Sequence, residues 1–243
     1  MFPLKDNIQV RDFPVVNITL IGINIVVFLF EMSYGPKVDE LISVFGFIPA
    51  RFLGHGFLNW LNPSNLLPMF TSMFMHASLL HLLSNMWFLW IFGDNVEDCM
   101  GHGRYLLFFL LCGVGAATSQ AVANPGSTMP MIGASGAISG VLGAYFLTYP
   151  RARILTLLPI FILFYIIELP AYFFLGFWFL LQFLQGSIYS LKADEMIGGG
   201  VAWWAHVGGF AVGILLLQFF RCKDWQRPVL DSGGKFRRIR RQQ

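Results

Sequence analysis

Five stretches without a single Lys, Arg, Asp or Glu limit what this chain can fold into. They cover residues 13–30, 52–93, 105–150, 169–191 and 196–220. A membrane-spanning helix needs about 20 predominantly apolar residues, and the two longest stretches have room for two spans or for one span and an uncharged loop. Only 12% of all residues are charged, against about 25% in soluble domains. The sequence therefore predicts a polytopic membrane protein.

The apolar stretches divide into predicted helices and connectors. Spans are predicted at residues 13–30, 78–92, 105–123, 134–149 and 197–220. Connectors are predicted as an interfacial loop with short helices at 32–65 and a charged segment at 94–104. Residues 154–184 leave two possibilities, one span with an interfacial segment or two spans.

The distribution of positive charge decides between these possibilities, because cytoplasmic loops carry an excess of Lys and Arg. With six spans and the N-terminus inside, the inner segments hold thirteen of the 16 Lys and Arg, and the outer ones hold only Lys37, Arg51 and Lys192. A seventh span at 154–167 would place the basic tail outside. We therefore expect an all-α membrane protein with six transmembrane helices and both termini cytoplasmic. Its parts are a leader at 1–12, a six-span domain at 13–220 and a basic tail at 221–243.

The apolar stretches and the positive charges also predict where the protein is located and what it contacts. We expect a multi-pass integral protein of the cell membrane, plasma or inner, in contact with membrane lipids. The tail carries eight Lys and Arg, which would attract anionic lipid headgroups or serve only as a solvated topology anchor. No nucleic-acid partner is expected.

Polar side chains within the predicted spans gather near one side of the membrane. His81 and Asn85 share a helix face in the second span, and His76 lies just before it. Ser135 opens the fourth span, and His206 lies on the order of 13 Å below the start of the last one. Because these spans start outside, all five residues lie in the outer half of the bilayer. Polar groups there are costly and mark functional sites.

Ser135 is either a helix N-cap or a nucleophile. A nucleophilic serine needs a base, usually a histidine, and His206 is the candidate. The amides of the first helical turn have no intrahelical acceptor, so they can hold an oxyanion, and His81 and Asn85 can add donors. No carboxylate is placed to complete a triad, so the sequence predicts a Ser–His dyad.

Small residues would let the two helices approach each other. Gly136, Gly140 and Gly143 form one face of the fourth span, and Gly209 and Gly213 lie on the stripe of the last span that carries the histidine. Faces of this kind bring helix backbones close together in membranes. A hydrogen bond between a serine and a histidine on separate helices requires such an approach.

Three motifs, in this order, resemble the rhomboid family of intramembrane serine proteases. They are Gly133-Ala134-Ser135-Gly136, the set His76, His81 and Asn85, and Ala205-His206-x-Gly208-Gly209, with further support from residues 93–98. The resemblance extends over residues 13–220 and implies a six-helix rhomboid-like bundle.

The resemblance also implies roles for these residues. Ser135 would be the nucleophile, His206 the general base, and His81 and Asn85 the residues that assist the oxyanion. Gly133 and His76 belong to the same motifs, and we place them with the oxyanion and substrate-binding residues. The family cleaves transmembrane segments of other proteins without cofactor or metal. The resemblance further implies a surface-lying connector at 154–167 and a fifth span that gates substrate access.

The sequence departs from the family in two places and leaves alternatives open. The Trp-Arg pair that some members have in the first loop is absent, and Ser139 stands where some members have a tyrosine that stacks under the histidine. Structural readings are an interhelical hydrogen bond for His206, helix–helix contacts for His81 and Asn85, and a loop hydrogen bond for His76. The alternative function is a non-catalytic rhomboid-like protein that binds or escorts membrane proteins. A transporter would show paired membrane-embedded charges or inverted repeats, and the sequence has neither.

Overall fold

The computed structural model describes residues 1–54, 62–160, 162–191, 201–220, 228–230 and 236–238. Most of them are helical. The helices are α1 (Val15–Ser33), α2 (Val38–Phe45), α3 (Pro49–Leu53), α4 (Pro63–Thr71), α5 (Leu79–Phe88), α6 (Asp94–Met100), α7 (His102–Ala123), α8 (Ser135–Thr148), α9 (Ala171–Leu191) and α10 (Trp203–Leu216). The strands are β1 (Phe2–Asp6), β2 (Arg153–Ile160), β3 (Leu163–Pro170), β4 (Pro228–Leu230) and β5 (Phe236–Arg238). Of the predicted basic tail, β4 and β5 alone belong to the described residues.

The predicted helices are present, and their lengths differ. Among the described residues, α1, α7 and α9 are long and apolar enough to cross a membrane, and the bent pair Pro63–Phe74 with Leu79–Met100 adds a fourth candidate. Helices α8 and α10 have 14 residues each, or about 21 Å at 1.5 Å per residue. That is less than the ~30 Å of a bilayer core. A multi-span helical bundle is confirmed, and the count of six spans with both ends cytoplasmic stays a prediction.

The second predicted span continues further than the sequence indicated. Ser78 caps α5 by accepting a hydrogen bond from the His81 amide (3.2 Å). The helix then passes through a π-helical turn, Leu89–Gly93, into α6. The prediction of a charged connector at 94–104 is therefore wrong over its first part, which is helical and ends at Gly101 with φ of +85°.

Glu97 in α6 caps the N-terminus of α1, although the two are far apart in the sequence. Its two carboxylate oxygens accept hydrogen bonds from the amides of Val16 (2.9 Å) and Asn17 (2.7 Å), and Glu97 is 1% exposed. A carboxylate at a helix N-terminus satisfies free amides and complements the helix dipole. This contact brings the start of α1 to the end of α6.

An antiparallel sheet accompanies the helical bundle, although the sequence predicted helices alone. β2 and β3 pair from Arg153↔Pro170 to Ile160↔Leu163, and β1 adds to β2 with Phe2 opposite Leu157. The all-α expectation is wrong here, because a short apolar run rich in isoleucine, leucine and aromatic residues does not distinguish strand from helix by itself. The predicted connector at 154–167 thus falls largely on β2 and β3, which pair with each other.

The centre of the bundle is α8. Every residue from 136 to 145 is buried, as expected for a helix that is apolar on all sides. It packs against α7 and α10, and α9 covers part of it. The residue that opens this central helix is Ser135.

Candidate active site

Ser135 is the first residue of α8, and its hydroxyl does not cap the helix. The capping position is Ala134, which is fully buried and offers no side-chain cap. The Ser135 Oγ–H instead donates to Nε2 of His206 at 2.8 Å. The structure thus brings together the two residues that the sequence assigned to the dyad.

Close packing of α8 against α10 makes this distance possible. A Cβ atom added to Gly209 would overlap the carbonyl oxygen of Gly136, one added to Gly213 would overlap that of Gly140, and one added to Gly143 would overlap that of Phe210. The predicted small-residue faces are therefore confirmed as the α8–α10 contact. Larger side chains would separate the backbones and pull His206 away from Ser135.

His206 is also held by a residue that the sequence analysis missed. Its Nδ1–H donates to Oε1 of Gln182 in α9 at 2.7 Å. An amide oxygen can only accept, so this bond places the proton on Nδ1 and leaves the lone pair of Nε2 facing Ser135. That is the tautomer a general base requires.

Aromatic rings flank the histidine on two sides. The ring centroids of Trp178 and Trp203 each lie 6.1 Å from that of His206. The Ala205 amide, next in the chain, donates to Oε1 of Gln120 in α7 (3.1 Å). The start of α10 is thereby fastened to the neighbouring helices around the histidine.

Ser139 does not take over the role of the absent tyrosine. Its hydroxyl donates to the carbonyl oxygen of Ser135 (2.6 Å) within α8, and the residue is 1% exposed. The support of His206 comes from α9 instead, through Gln182 and Trp178. Where some family members have a tyrosine against the histidine, this protein thus has Gln182 and Trp178 in contact with it.

His81 and Asn85 lie beside Gly133, two residues before Ser135. Gly133 has φ of +122°, and a Cβ there would stand 2.7 Å from His81 Nε2 and 3.6 Å from Asn85 Nδ2. Both the backbone angle and the neighbouring side chains of His81 and Asn85 therefore favour glycine. The Gly133 amide donates to the Ser72 carbonyl (2.8 Å), so it is already satisfied and is not aimed at a substrate.

His76 lies behind Asn85 and away from solvent. Its Nε2 accepts a hydrogen bond from Asn85 Nδ2 (2.9 Å), its amide donates to Glu31 Oε2 (3.1 Å), and the residue is 2% exposed. The His76 and His81 rings meet edge to face at 5.0 Å. His76 therefore fixes the position of the Asn85 amide.

The missed residues had a weak signal in the sequence. Gln182 and Gln185 are amides within the long apolar stretch that forms α9, and a polar group inside a membrane segment calls for a partner. The sequence prediction allowed only for a carboxylate as a third residue beside Ser135 and His206, and both glutamines are amides. Which of the two glutamines faces the histidine depends on the rotation of α9, and Gln182 is the buried one.

Comparison with known proteins identifies the family of this chain. A family model described as the rhomboid domain matches residues 63–223. This chain belongs to the rhomboid family.

Similar relatives include mitochondrial and bacterial proteins. Presenilin-associated rhomboid-like protein A, mitochondrial, of Danio rerio is 28% identical over 208 residues, which is 79% of this chain and 49% of that protein. Rhomboid protease GluP of Bacillus subtilis is 33% identical over 117 residues, 48% of this chain and 21% of that protein. Rhomboid protein 1, mitochondrial, of Saccharomyces cerevisiae is 24% identical over 201 residues, 81% of this chain and 50% of that protein. The chain thus spans half or less of the length of each of these relatives.

Proposed function

We propose that this protein is an intramembrane serine endopeptidase that cleaves transmembrane segments of other membrane proteins with a Ser135–His206 dyad. The observation that carries the proposal is the 2.8 Å hydrogen bond from Ser135 Oγ to His206 Nε2, with Nδ1 occupied by Gln182. The rhomboid match and the relative named a protease support the same chemistry.

The reaction proceeds in two acyl-transfer steps. His206 Nε2 accepts the Ser135 hydroxyl proton as the oxygen attacks the scissile carbonyl carbon, and the tetrahedral intermediate then collapses. The protonated imidazole donates that proton to the departing amine, which leaves an ester on Ser135. A water molecule, deprotonated by the same nitrogen, hydrolyses the ester and returns the hydroxyl group.

Donors for the oxyanion lie around the start of α8. The amides of its first turn, beginning with Ser135, have no acceptor within the helix, and the side chains of His81 and Asn85 stand beside Gly133. Loss of one such donor in a serine hydrolase lowers kcat about 10²–10³-fold. His76 contributes through Asn85, which it holds at 2.9 Å.

The proposed arrangement in the membrane comprises six spans, cytoplasmic termini and a site in the outer half of the bilayer. Two contacts support helices that cross the membrane in alternating directions, because each joins helix ends that the proposed arrangement places on the same side. Arg104 at the start of α7 bonds the carbonyl of Phe219 after α10 (3.0 Å), and Ser190 near the end of α9 accepts from Trp204 Nε1 at the start of α10 (2.9 Å). The relatives include mitochondrial proteins, so they do not favour a plasma or inner membrane over another one.

Cleavage by the reconstituted protein tests the proposal. Purified protein in lipid vesicles, given a model transmembrane substrate, is expected to cleave it, and Ser135→Ala is expected to lose about 10⁴-fold or more in rate. A fluorophosphonate probe should label wild-type protein at Ser135, and the label should be lost in His206→Ala. The matched control is Ser139→Ala, one turn further along α8, which should cleave and label like wild type.

Undiminished cleavage by Ser135→Ala would refute the assignment. Stable binding of membrane-protein partners without turnover or labelling would favour the alternative, a non-catalytic binding or escort protein.

A further inference from the structure

A stripe of α9 faces the start of α10, and its residues are spaced by four. Trp178 packs on His206 and Phe210, Gln182 bonds His206, and Gly186 lies against Trp203, where an added Cβ would stand 3.2 Å from the Trp203 Cβ. Gln182 is 9% exposed, although much of this helix is open on its other side. The side-chain amide of Gln182 therefore lies within the contact between α9 and α10.

Two side-chain hydrogen bonds join α9 to α10 among the described residues. One is the bond from Trp204 Nε1 to Ser190 Oγ, and the other is the bond from His206 Nδ1 to Gln182 Oε1. The second acts on the catalytic base itself. A hydrogen bond of this kind is lost when donor and acceptor separate beyond about 3.5 Å, so it exists only while α9 is packed against α10.

We propose that Gln182 is the positioning residue of the dyad, through which α9 sets the tautomer of His206. The inference rests on the proposed protease function, which it deepens. With Oε1 as acceptor, the imidazole carries its proton on Nδ1 and presents a basic Nε2 to Ser135. If α9 withdraws, or if the amide turns to offer its NH₂ group, that preference is lost and the dyad is switched off while Ser135 stays in place.

The neutral amide distinguishes this device from a triad. A carboxylate in the same place would also stabilise the imidazolium that forms during catalysis, whereas a glutamine supplies orientation and the tautomer. The expected contribution resembles that of hydrogen-bond partners that orient metal-bound histidines, whose removal costs about 10–100-fold.

The test combines kinetics with a direct observation of the tautomer. Gln182→Leu is expected to lower kcat about 10–100-fold with KM changed by less than about twofold, because the bond is used after substrate binds. Gln182→Glu keeps both the length and an acceptor oxygen, and it should recover most of the loss. Gln182→Asn draws the acceptor back by one methylene and should behave like Gln182→Leu.

Nitrogen NMR of histidine-labelled protein in lipid reads the tautomer without turnover. The His206 signals are identified by their loss in His206→Asn. Wild type should show a protonated Nδ1 and an unprotonated Nε2, Gln182→Leu should lose this preference, and Gln182→Glu should keep it. Gln185→Leu, an exposed glutamine on the same helix, is the matched control and should change neither kcat nor the spectrum.

Ser190→Ala separates tautomer control from simple helix packing, because it removes the other α9–α10 hydrogen bond and leaves Gln182 in place. A loss of activity in Ser190→Ala equal to that in Gln182→Leu, with the tautomer unchanged in both, would overturn the proposal. So would an unprotonated Nδ1 in wild type. If wild type neither cleaves nor labels, the protease assignment fails, and the spectra still decide whether Gln182 sets the tautomer.

Discussion

Helices α8 and α9 both reach the dyad, but they are held in different ways. α8 is buried along residues 136–145 and is locked to α10 by backbone contacts at glycines. α9 exposes large apolar residues along much of its length, including Tyr172, Phe173 and Leu180. The proposed nucleophile, Ser135, therefore lies on a helix that cannot shift without repacking the core, whereas Gln182, the partner of the proposed base His206, lies on a peripheral helix. Positioning of the serine and orientation of the histidine are separate properties of this fold.

Glycine substitutions should show the largest difference between the two helices. In Gly209→Ala the new Cβ meets the Gly136 carbonyl of α8, and a backbone atom cannot turn aside, so we expect a loss of about 3 kcal/mol in unfolding free energy. In Gly176→Ala, on α9, the nearest atom is Phe146 Cε2 at 3.9 Å. That change should be neutral or stabilise by up to about 1 kcal/mol, because alanine favours the helix. Equal unfolding curves for the two variants in detergent would contradict the comparison.

Leucine truncations should give a smaller contrast of the same sign. Leu142 of α8 is 1% exposed and Leu181 of α9 is 40% exposed. Leu142→Ala leaves a cavity and should cost about 2 kcal/mol, the lower end of the usual range, because lipid rather than water surrounds the bundle. Leu181→Ala should change stability by less than about 0.5 kcal/mol. Denaturant titration of both variants in the same detergent measures the difference, and a cost for Leu181→Ala as large as for Leu142→Ala would show that α9 is not peripheral.

The smallest effect is expected at the N-terminal end of α9. Arg153 and Glu168 form an ion pair at 2.9 Å with side chains 63% and 53% exposed, and exposed pairs contribute little. Backbone bonds anchor this end instead, from the amide of Ala171 to the carbonyl of Ala152 and from Tyr172 to Pro150. Glu168→Ala should therefore alter the unfolding free energy by less than about 0.5 kcal/mol and leave cleavage unchanged. A marked loss of either in unfolding and cleavage assays would mean that the ion pair holds α9 in place.

Much of the site was predictable because its signals are local. Ser135 at a helix start, His206 in the last predicted span and the glycines on facing stripes can all be found from spacing and hydropathy, and the structure brings them together. The predicted depth of His206 is wrong, because α10 begins at Trp203 and the histidine lies in its first turn. The β-hairpin was not predictable in this way. Its strands are apolar enough for a span, and β1, which pairs with β2, lies about 150 residues earlier in the chain.

The sequence by itself determined the membrane class, the small-residue faces and the pairing of Ser135 with His206, since hydropathy, charge and helical periodicity are properties of neighbouring residues. Only the tertiary structure decided that Gln182 rather than Gln185 faces His206 and that Glu97 caps α1. Each of these contacts joins side chains or turns whose meeting depends on the rotation and depth of whole helices. Those are set by packing across the bundle, and no short stretch of sequence contains them.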